Sequence, residues 1–463
     1  MPDHAECPNC RKLLAEVRTL RRDLAAAKQR IQALEAELRR GKRQAAPFSR
    51  DTPTGRPKRP GRKKGQGPFR HRPPPPEAQI TTVTTPLERC PDCGGPLRQR
   101  RTHAHLQTDI PRPAPVHTRF VTESGYCPRC RRRFRSRHPD QTSTATGAAG
   151  VSLGPNAKAV AADMHHRLGV PYAKVADFLH ATAGLEVTPG ALCQSSRRLA
   201  DRLQPVYRDL IAAVRGCCAA YVDETGWRIG PLSAWLWVFT SRRATVYLIR
   251  ESRSHEVVVE VLGRAFQGVM VGDCFLAYDH KAFGQWVKQK CFAHFLKALS
   301  EIEAAKTRGA VRFPRQVARV LRDALALAKE KSTLPPRRFR RRLTEIHRRL
   351  DALIHEGRRL TDPDNARFAR RLRKQRKHLF TFLTHEGVEA TNNRAERMLR
   401  PAVVLRKTGA CNKTHRGAAA HGIIASVLAT AKQNAVDGIG YLARTFTAPA
   451  EPPALPLPPP APL

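Results

Sequence analysis

Two acidic residues, far apart along the chain, occupy settings in which a carboxylate could bind a divalent metal ion. Asp223 follows the uncharged run Ala219–Val222, a pattern typical of a buried strand that ends on a carboxylate. Asp273 closes a second such run, Val269–Val271. A carboxylate at the end of a rigid strand is held in a fixed orientation and faces solvent, where it can bind a hard cation. Taken alone, however, an aspartate at such a point is more often a turn former than a ligand.

A third acid, Glu396, lies in the segment TNNRAERMLRP, which has the pattern of a helix. Asn392 precedes Glu396 by four residues and Arg400 follows it by four, so the three share one helical face. Two strand-end aspartates followed by a helical glutamate form the layout of a ribonuclease H-like nucleotidyl-transferase core. The alternative is an exposed ion pair between Glu396 and Arg400, which would contribute about 0.3 to 0.5 kcal/mol.

Five segments carry a family resemblance: VDETGWRI, SAWLWVFTS, GVMVGDCFLAY, CFAH and TNNRAERMLRP. They resemble segments of transposases of the insertion sequence 66 family, with a similarity that runs from the N-terminal coil to about Arg444. The resemblance implies a DDE-type transposase whose acids are Asp223, Asp273 and Glu396. It also implies a C-x-x-H that helps to position DNA, here Cys291 and His294, and small companion proteins encoded beside the transposase. For Cys291 and His294 a packed thiol and a hydrogen-bonded imidazole explain the pair equally well, and no further zinc ligands are evident in the sequence.

Cutting a DNA phosphodiester requires an activated water or hydroxyl, neutralised phosphate oxygens and a stabilised leaving oxygen. Two Mg²⁺ ions about 3.5 to 4 Å apart supply all three. Because Mg²⁺ keeps several waters, three carboxylates are enough protein ligands. Glu224 is not expected to be one of them, since its side chain points away from that of Asp223 if the strand continues.

The predicted fold class is α/β, with a ribonuclease H-like mixed sheet and an α-helical insertion. The segments SAWLWVF and ATVYLIR have strand patterns, so the first three strands are expected to form an antiparallel meander. A helix over Ser254–Phe266 would return the chain to the strand carrying Asp273. If that strand lies beside Tyr221 and Val222, the two aspartates approach one another. Ile423–Lys432 is predicted to be a final buried helix.

The domain prediction follows from shifts in composition along the chain. A coiled coil, a zinc ribbon-like module and a small helical domain precede the catalytic core. The predicted segments are a CxxC and coiled coil at 1–40, a basic Pro/Gly-rich linker at 41–86, a zinc-binding module at 87–140, a helical, helix-turn-helix-like domain at 150–210, the catalytic domain at 215–446 with its insertion at about 295–386, and a disordered Pro-rich tail at 447–463.

Four cysteines form two knuckles, CPDC and CPRC. Cys90, Cys93, Cys127 and Cys130 could offer four thiolates in the tetrahedral arrangement that structural Zn²⁺ prefers. Free cysteines are the alternative. The family resemblance includes a zinc-binding module at this place. The twelve cysteines of the chain are not expected to form disulfides in the cytosol, and the role of the further pair Cys7 and Cys10 stays open.

A formal charge of +44, from 83 Lys and Arg against 39 Asp and Glu, favours DNA as the partner because binding releases counterions. The linker segment Gly55–Gly65 could lie in a minor groove or act as a solvated tether. The basic helices between His294 and Glu386 could track a DNA backbone or form a solvated bundle. The residues predicted to bind DNA beside the acids are Asn392, Asn393, Arg397, Arg400, Arg406, Lys407 and His294.

The helical segment Lys12–Arg40 has two apolar series with a seven-residue repeat. Val17, Leu24, Ile31 and Leu38 form one series, and a second series runs parallel to it, as in a coiled-coil seam. A homodimer or higher oligomer is the predicted result, and an amphipathic helix docked on its own chain is the alternative. Three further helices, Ala159–Leu168, Tyr172–Ala181 and Thr188–Leu203, are compatible with a helix-turn-helix or with any small bundle.

No run of 18 uncharged apolar residues occurs, and the N-terminus lacks a hydrophobic signal region, so a cytoplasmic, nucleoid-associated bacterial protein without membrane contact is expected. The function predicted is a DNA transposase acting on element ends and target DNA. Two alternatives remain at this level: a zinc-containing DNA-binding regulator without catalysis, and a ribonuclease H-like nuclease that cuts without joining. Intact acids at all three positions argue against the regulator.

Overall fold

The structure, a computed structural model, describes most of the chain in two compact units, residues 1–110 and 111–463. The predicted linker lies largely outside the described residues, and so do the side chains of Cys7 and Cys10. The described residues are 8–42, 75–85, 87–96, 98, 101, 103–109, 113–142, 151–409, 411–448 and 451–459.

The first unit contains one long helix, α1 (Pro8–Lys42), which confirms the predicted helical segment. Apolar side chains of both seven-residue series stand exposed on it, Leu20 at 66% and Leu24 at 56% of their full accessible surface. Exposed apolar residues at this spacing fit a seam that a second helix would cover. The coiled coil itself stays a prediction.

The second unit begins with a short antiparallel hairpin of β1 (Ser124–Cys127) and β2 (Arg132–Arg135). The CPRC knuckle forms its turn, where Arg131 has a left-handed backbone conformation with φ 53°. Both strands are largely exposed.

Three helices follow, α2 (Pro155–His166), α3 (Tyr172–Ala183) and α4 (Pro189–Arg215). Thr188 caps α4 by accepting a hydrogen bond from the N–H of Ala191. The expected end of this helix at Leu203 is wrong, because a buried apolar stripe continues beyond Pro205 to Val214. That stripe packs against the sheet described next, so α4 belongs to the main core as well as to the helical segment.

A five-stranded mixed sheet lies at the centre of the unit, in the order β5-β4-β3-β6-β7. The predicted antiparallel meander is confirmed, and β6 and β7 run parallel to β3, an arrangement compatible with a ribonuclease H-like core. The helix α5 (His255–Leu262) links β5 to β6. The strands are β3 (Ala219–Ile229), β4 (Leu232–Thr240), β5 (Thr245–Arg250), β6 (Val269–Gly272) and β7 (Lys288–Lys290).

Alternate residues of β3 enter different hydrophobic clusters on the two faces of the sheet. Tyr221 packs with helices that follow the sheet in the chain, whereas Val222 packs with α4 and α5. By the same alternation, Asp223 lies on the Tyr221 face and Glu224 lies on the Val222 face. The pleat therefore decides which of these two adjacent acids faces the predicted site.

The predicted insertion consists of helices joined by short turns, with an apolar interior formed by α7 (Arg312–Lys329), α8 (Pro336–Glu356) and α9 (Pro363–Gln375). Val317, Leu321 and Leu350 are fully buried there. Arginines dominate its exposed faces. The insertion also contains α6 (Phe292–Ala304) and α10 (Thr381–Thr384).

Three helices complete the unit: α11 (Asn393–Thr408), α12 (His415–Gln433) and α13 (Gly438–Thr447). The prediction that the buried helix α12 is the last one was wrong, since α13 follows it. The prediction of a disordered tail was also wrong over 451–459. Leu455 is buried there, and the carbonyls of Pro453 and Pro458 accept hydrogen bonds from Tyr441 and Arg243. Within the described residues, no helix is both long and apolar enough to span a membrane.

Candidate active site

The sequence had suggested that Asp223 ends its strand. In the structure, Asp223 instead lies inside β3. The strand continues to Ile229 because Trp227 and Ile229 maintain alternate burial after the acid. Parallel pairing with β6 nevertheless stops at Tyr221, whose partner is Val271, so Asp223 stands just beyond the paired segment. Its other neighbour is Val238 of β4.

Asp273 follows the last residue of β6, as predicted. Tyr221 and Val271 are paired, and Asp223 and Asp273 each lie two residues beyond them. Both aspartates therefore stand at the same end of the two parallel strands. The expected adjacency of the two strands is thus confirmed. The Oδ1 atom of Asp273 accepts a 2.8 Å hydrogen bond from the N–H of Phe275, which fixes the carboxylate at the start of the following turn.

Glu396 lies in the first turn of α11, partly exposed, and the helix packs against β3 and β4. Asn392, immediately before α11, ties the helix to the strand: its Nδ2 donates a 2.9 Å hydrogen bond to the carbonyl oxygen of Val222. The N–H of Glu396 in turn donates to the carbonyl oxygen of Asn392. These bonds bring the glutamate to the end of the sheet that carries Asp223.

The pKa of Asp223 is raised to about 7, first by burial and then by the negative charge of Glu224. A hydrogen bond of 2.9 Å from the N–H of Glu224 acts in the opposite direction. The charges of Asp273 and Glu396 raise the pKa further. Asp273 and Glu396 therefore lie close enough to Asp223 for their charges to disfavour its ionised form, and a bound cation would offset that effect.

Glu224 points to the opposite side of β3 from Asp223, as expected. Arg253 donates to its Oε1 from Nε at 3.2 Å and from Nη2 at 2.8 Å, and the hydroxyl of Tyr278 donates to Oε2. Its side chain is only 4% exposed. Because Tyr278 lies in the turn after Asp273, this network fixes that turn against β3.

A buried lysine supports Asp273 from the other side. Lys290, at the end of β7, donates a 2.9 Å hydrogen bond from Nζ to the carbonyl oxygen of Asp273 and lies 2.8 Å from Oδ1 of Asp279. Asp279 also contacts Lys374 and Gln375 of α9. The helical insertion is therefore connected to the loop that carries the second acid.

Cys291, His294 and Glu396 form a cluster that the sequence did not reveal. Their ligand atoms all lie within 4.8 Å of one another, and among the described residues this is the one group of three or more potential ligands so close together. The Nδ1 atom of His294 lies 3.8 Å from Oε1 of Glu396. The sequence had offered no further ligands for the C-x-x-H pair, because Glu396 follows it on a helix far along the chain.

The residues predicted to bind DNA divide into those held by contacts within the protein and those exposed to solvent. Asn392 is fully buried and bonded to Val222, so it does not belong to the exposed members of the set. Arg406 bonds to Thr225 and to the carbonyl oxygen of Gly226. In the described part of the chain, Glu396 lies 3.8 Å from His294 and forms no ion pair with Arg400. The exposed basic or polar members of the set are Asn393, Arg397, Arg400 and Lys407.

Each cysteine knuckle polarises its first thiol. The pKa of Cys127 is lowered chiefly by the N–H of Cys130, which lies 3.5 Å from Sγ, and the pKa of Cys90 is lowered in the same way by the N–H of Cys93. Such N–H bonds stabilise the thiolates that a metal requires. The two knuckles belong to different compact units, and the joint zinc site stays a prediction.

A family model described as Transposase IS66 family matches residues 150–420, more than half of the 463 residues. The chain belongs to the IS66 transposase family. The matched range contains Asp223, Asp273 and Glu396 together with the whole five-stranded sheet. The coil and both cysteine knuckles precede it. No curated protein matches the chain.

Proposed function

We propose that this member of the IS66 family is a DNA transposase that cuts phosphodiester bonds at the ends of an insertion sequence and joins the freed 3′ hydroxyls to target DNA. The observation that carries the proposal is the position of Asp223 and Asp273 at the same end of two paired parallel strands, with Glu396 on the helix that Asn392 joins to β3. Carboxylates gathered in a partly buried setting are unfavourable in isolation. They become favourable around divalent cations.

The donor set fits Mg²⁺, which prefers oxygen ligands and retains part of its water shell. Asp223, Asp273 and Glu396 are the residues that would hold two such ions. When bound, the ions activate the attacking oxygen, neutralise the phosphate and stabilise the leaving oxygen. The chain's own contribution is to hold the three carboxylates in place through Asn392, Glu224 and Lys290, each buried and hydrogen-bonded.

Two successive displacements at phosphorus account for cutting and joining. In the first, a water oxygen bonds to phosphorus, the bond to the 3′ oxygen breaks, and that oxygen leaves as a hydroxyl carrying a proton. In the second, this 3′ hydroxyl attacks a target phosphodiester and releases a new 3′ hydroxyl. Neither step requires an oxidant or reductant, and the number of phosphodiester bonds is conserved in the second.

The exposed face of α11 offers a surface for the DNA backbone beside the acids. Arg397, Arg400 and Lys407 recur at helical spacing and are exposed, whereas Arg406 is held to β3. Basic side chains of this kind contact phosphates without reading bases. With a formal charge of +44, the chain as a whole also favours DNA and should bind it less tightly as salt rises.

Incubation of the purified chain with Mg²⁺ and labelled DNA carrying the inverted repeats that flank its own locus tests the proposal. We expect nicking and strand joining by the wild type and neither by Asp223→Asn, Asp273→Asn or Glu396→Gln. Glu301→Gln, an exposed acid of α6, is the matched control and should remain active. Nicking that survives Asp223→Asn would remove the catalytic assignment, and nicking without joining would favour a nuclease.

Two parts of the proposal concern assembly. We propose that Cys90, Cys93, Cys127 and Cys130 hold one structural Zn²⁺ and that α1 pairs with a second copy through its exposed apolar series. Metal analysis should give at least one zinc per chain. Sedimentation should give a dimer or higher oligomer that Leu20→Glu disrupts. Element-encoded companion proteins are candidates for addition if the isolated chain does not act.

A further inference from the structure

We propose that Cys291, His294 and Glu396 form a binding site for a thiophilic divalent cation of the Zn²⁺ type. The sulfur, nitrogen and oxygen donors lie within 4.8 Å of one another. A thiolate, an imidazole and a carboxylate are the ligands that Zn²⁺ uses in proteins, and three of them leave a fourth position for water. This donor set differs from the all-oxygen set of the three acids.

The spacing of the first two donors follows from the helix that carries them. Cys291 is the N-cap of α6 and His294 is its third residue, and side chains at these two positions lie side by side. Burial raises the pKa of the Cys291 thiol, the N–H of Asn392 at 3.1 Å from Sγ acts in the opposite direction, and a bound cation would favour the thiolate. Glu396 completes the group from α11.

A purely structural role for His294 does not explain its enclosed Nδ1 atom, which a bound ligand would satisfy. Its Nδ1 is enclosed and has no hydrogen-bond partner among the described residues. It faces Oε1 of Glu396 at 3.8 Å, too far for a hydrogen bond. Two ligands of one tetrahedral zinc lie roughly 3.3 Å apart, given bond lengths of about 2.0 to 2.1 Å. A shift of about half an ångström, well within the reach of a partly exposed glutamate, would let both atoms bind the same ion.

A cation bound at this site would be coordinated by the carboxylate of Glu396, which the catalytic proposal also requires. If Glu396 is a catalytic acid, a thiophilic cation held between α6 and α11 draws it from the aspartates and inhibits cleavage in Mg²⁺. This consequence rests on the proposed function. The existence of the site does not, and it can be measured without any DNA.

Cobalt provides the probe, because Co²⁺ bound to thiolate gives a charge-transfer absorption. The metal-free full chain is titrated with Co²⁺, and the knuckle cysteines contribute equally to the wild type and to the variants. We expect the wild type to bind one equivalent more than His294→Ala, and Cys291→Ser to lose the charge-transfer band of that equivalent. His294 is partly exposed, so His294→Ala should fold even if the buried Cys291→Ser does not.

Two control variants match the chemistry outside the cluster. His415→Ala removes an exposed histidine that lies 2.7 Å from Glu251, and Cys193→Ser removes a partly buried thiol of α4. Both should bind as much Co²⁺ as the wild type. Equal Co²⁺ binding by the wild type and His294→Ala would overturn the site. If the wild type binds Co²⁺ as expected but does not cleave DNA in Mg²⁺, the result would instead count against the proposed function.

Discussion

The side-chain amide of Asn392 donates a 2.9 Å hydrogen bond to the carbonyl oxygen of Val222, the residue before Asp223. This bond joins the start of the helix carrying Glu396 to the strand carrying the first acid. Asn392 is fully buried, and its main-chain N–H also contacts Cys291. A residue that resembles a DNA contact in the sequence is thus a positioning residue in the fold.

Asn392→Ala should destabilise the protein by about 1 to 3 kcal/mol, because it leaves the buried carbonyl of Val222 without a donor. Asn393→Ala, at the exposed neighbouring position, should change stability by less than about 0.5 kcal/mol. Urea unfolding of both variants measures the difference. Equal stability of the two would contradict the role assigned to Asn392. We also expect Asn392→Ala to lower cleavage more than it lowers DNA affinity.

The raised pKa of Asp223 predicts how stability depends on pH when metal is absent. The folded protein holds a proton on Asp223 up to about pH 7, whereas the unfolded chain releases it near its ordinary value of 3.8. The folded state therefore binds more protons between these values, and its stability falls as pH rises from about 4 through 7.

Asp223→Asn removes that loss because the amide does not ionise. The variant's stability advantage over the wild type should widen between pH 5 and pH 8, by an amount on the order of 2 kcal/mol. Urea titrations in chelator at both pH values measure the gap, and Mg²⁺ at pH 8 should narrow it. A gap that does not change with pH would show that Asp223 ionises normally.

Lys290 and Lys374 both contact Asp279, but only the first is buried, at 2% against 56% side-chain exposure. Lys290→Met should cost about 3 kcal/mol, because it strands a buried carboxylate and removes the donor to the carbonyl of Asp273. Lys374→Met, the matched control, should cost less than about 1 kcal/mol. Thermal unfolding compares them. Similar costs would mean that the buried pair does not support the loop.

Glu224→Gln tests whether the acid beside Asp223 supports the site without binding metal. Losing the charge weakens the contact with Arg253 and removes the second-largest cause of the raised pKa of Asp223. We expect cleavage to fall about tenfold, as for residues that orient metal ligands, while Asp223→Asn is inactive. The pH at which Asp223 titrates should also fall. Complete inactivity of Glu224→Gln would make Glu224 a ligand candidate.

The sequence by itself determined the strands that carry the two aspartates and the helix that carries Glu396. The runs ending at Asp223 and Asp273 were recognised as strands, and Glu396 was placed on a helix, because apolar run length and periodicity are local properties of the chain. Their alternation also indicated the direction of Glu224. The same local reasoning ended β3 at Asp223 too early, since it could not foresee that Trp227 and Ile229 would be buried.

Tertiary structure alone decided which of these residues meet. The burial of Asn392, the support of Asp273 by Lys290 and the proximity of His294 to Glu396 all depend on how α11 and the insertion pack against the sheet. Such contacts join residues far apart in the chain, and no local pattern encodes them. The pKa of Asp223 follows from the same packing, because burial and neighbouring charge exist only once the chain has folded.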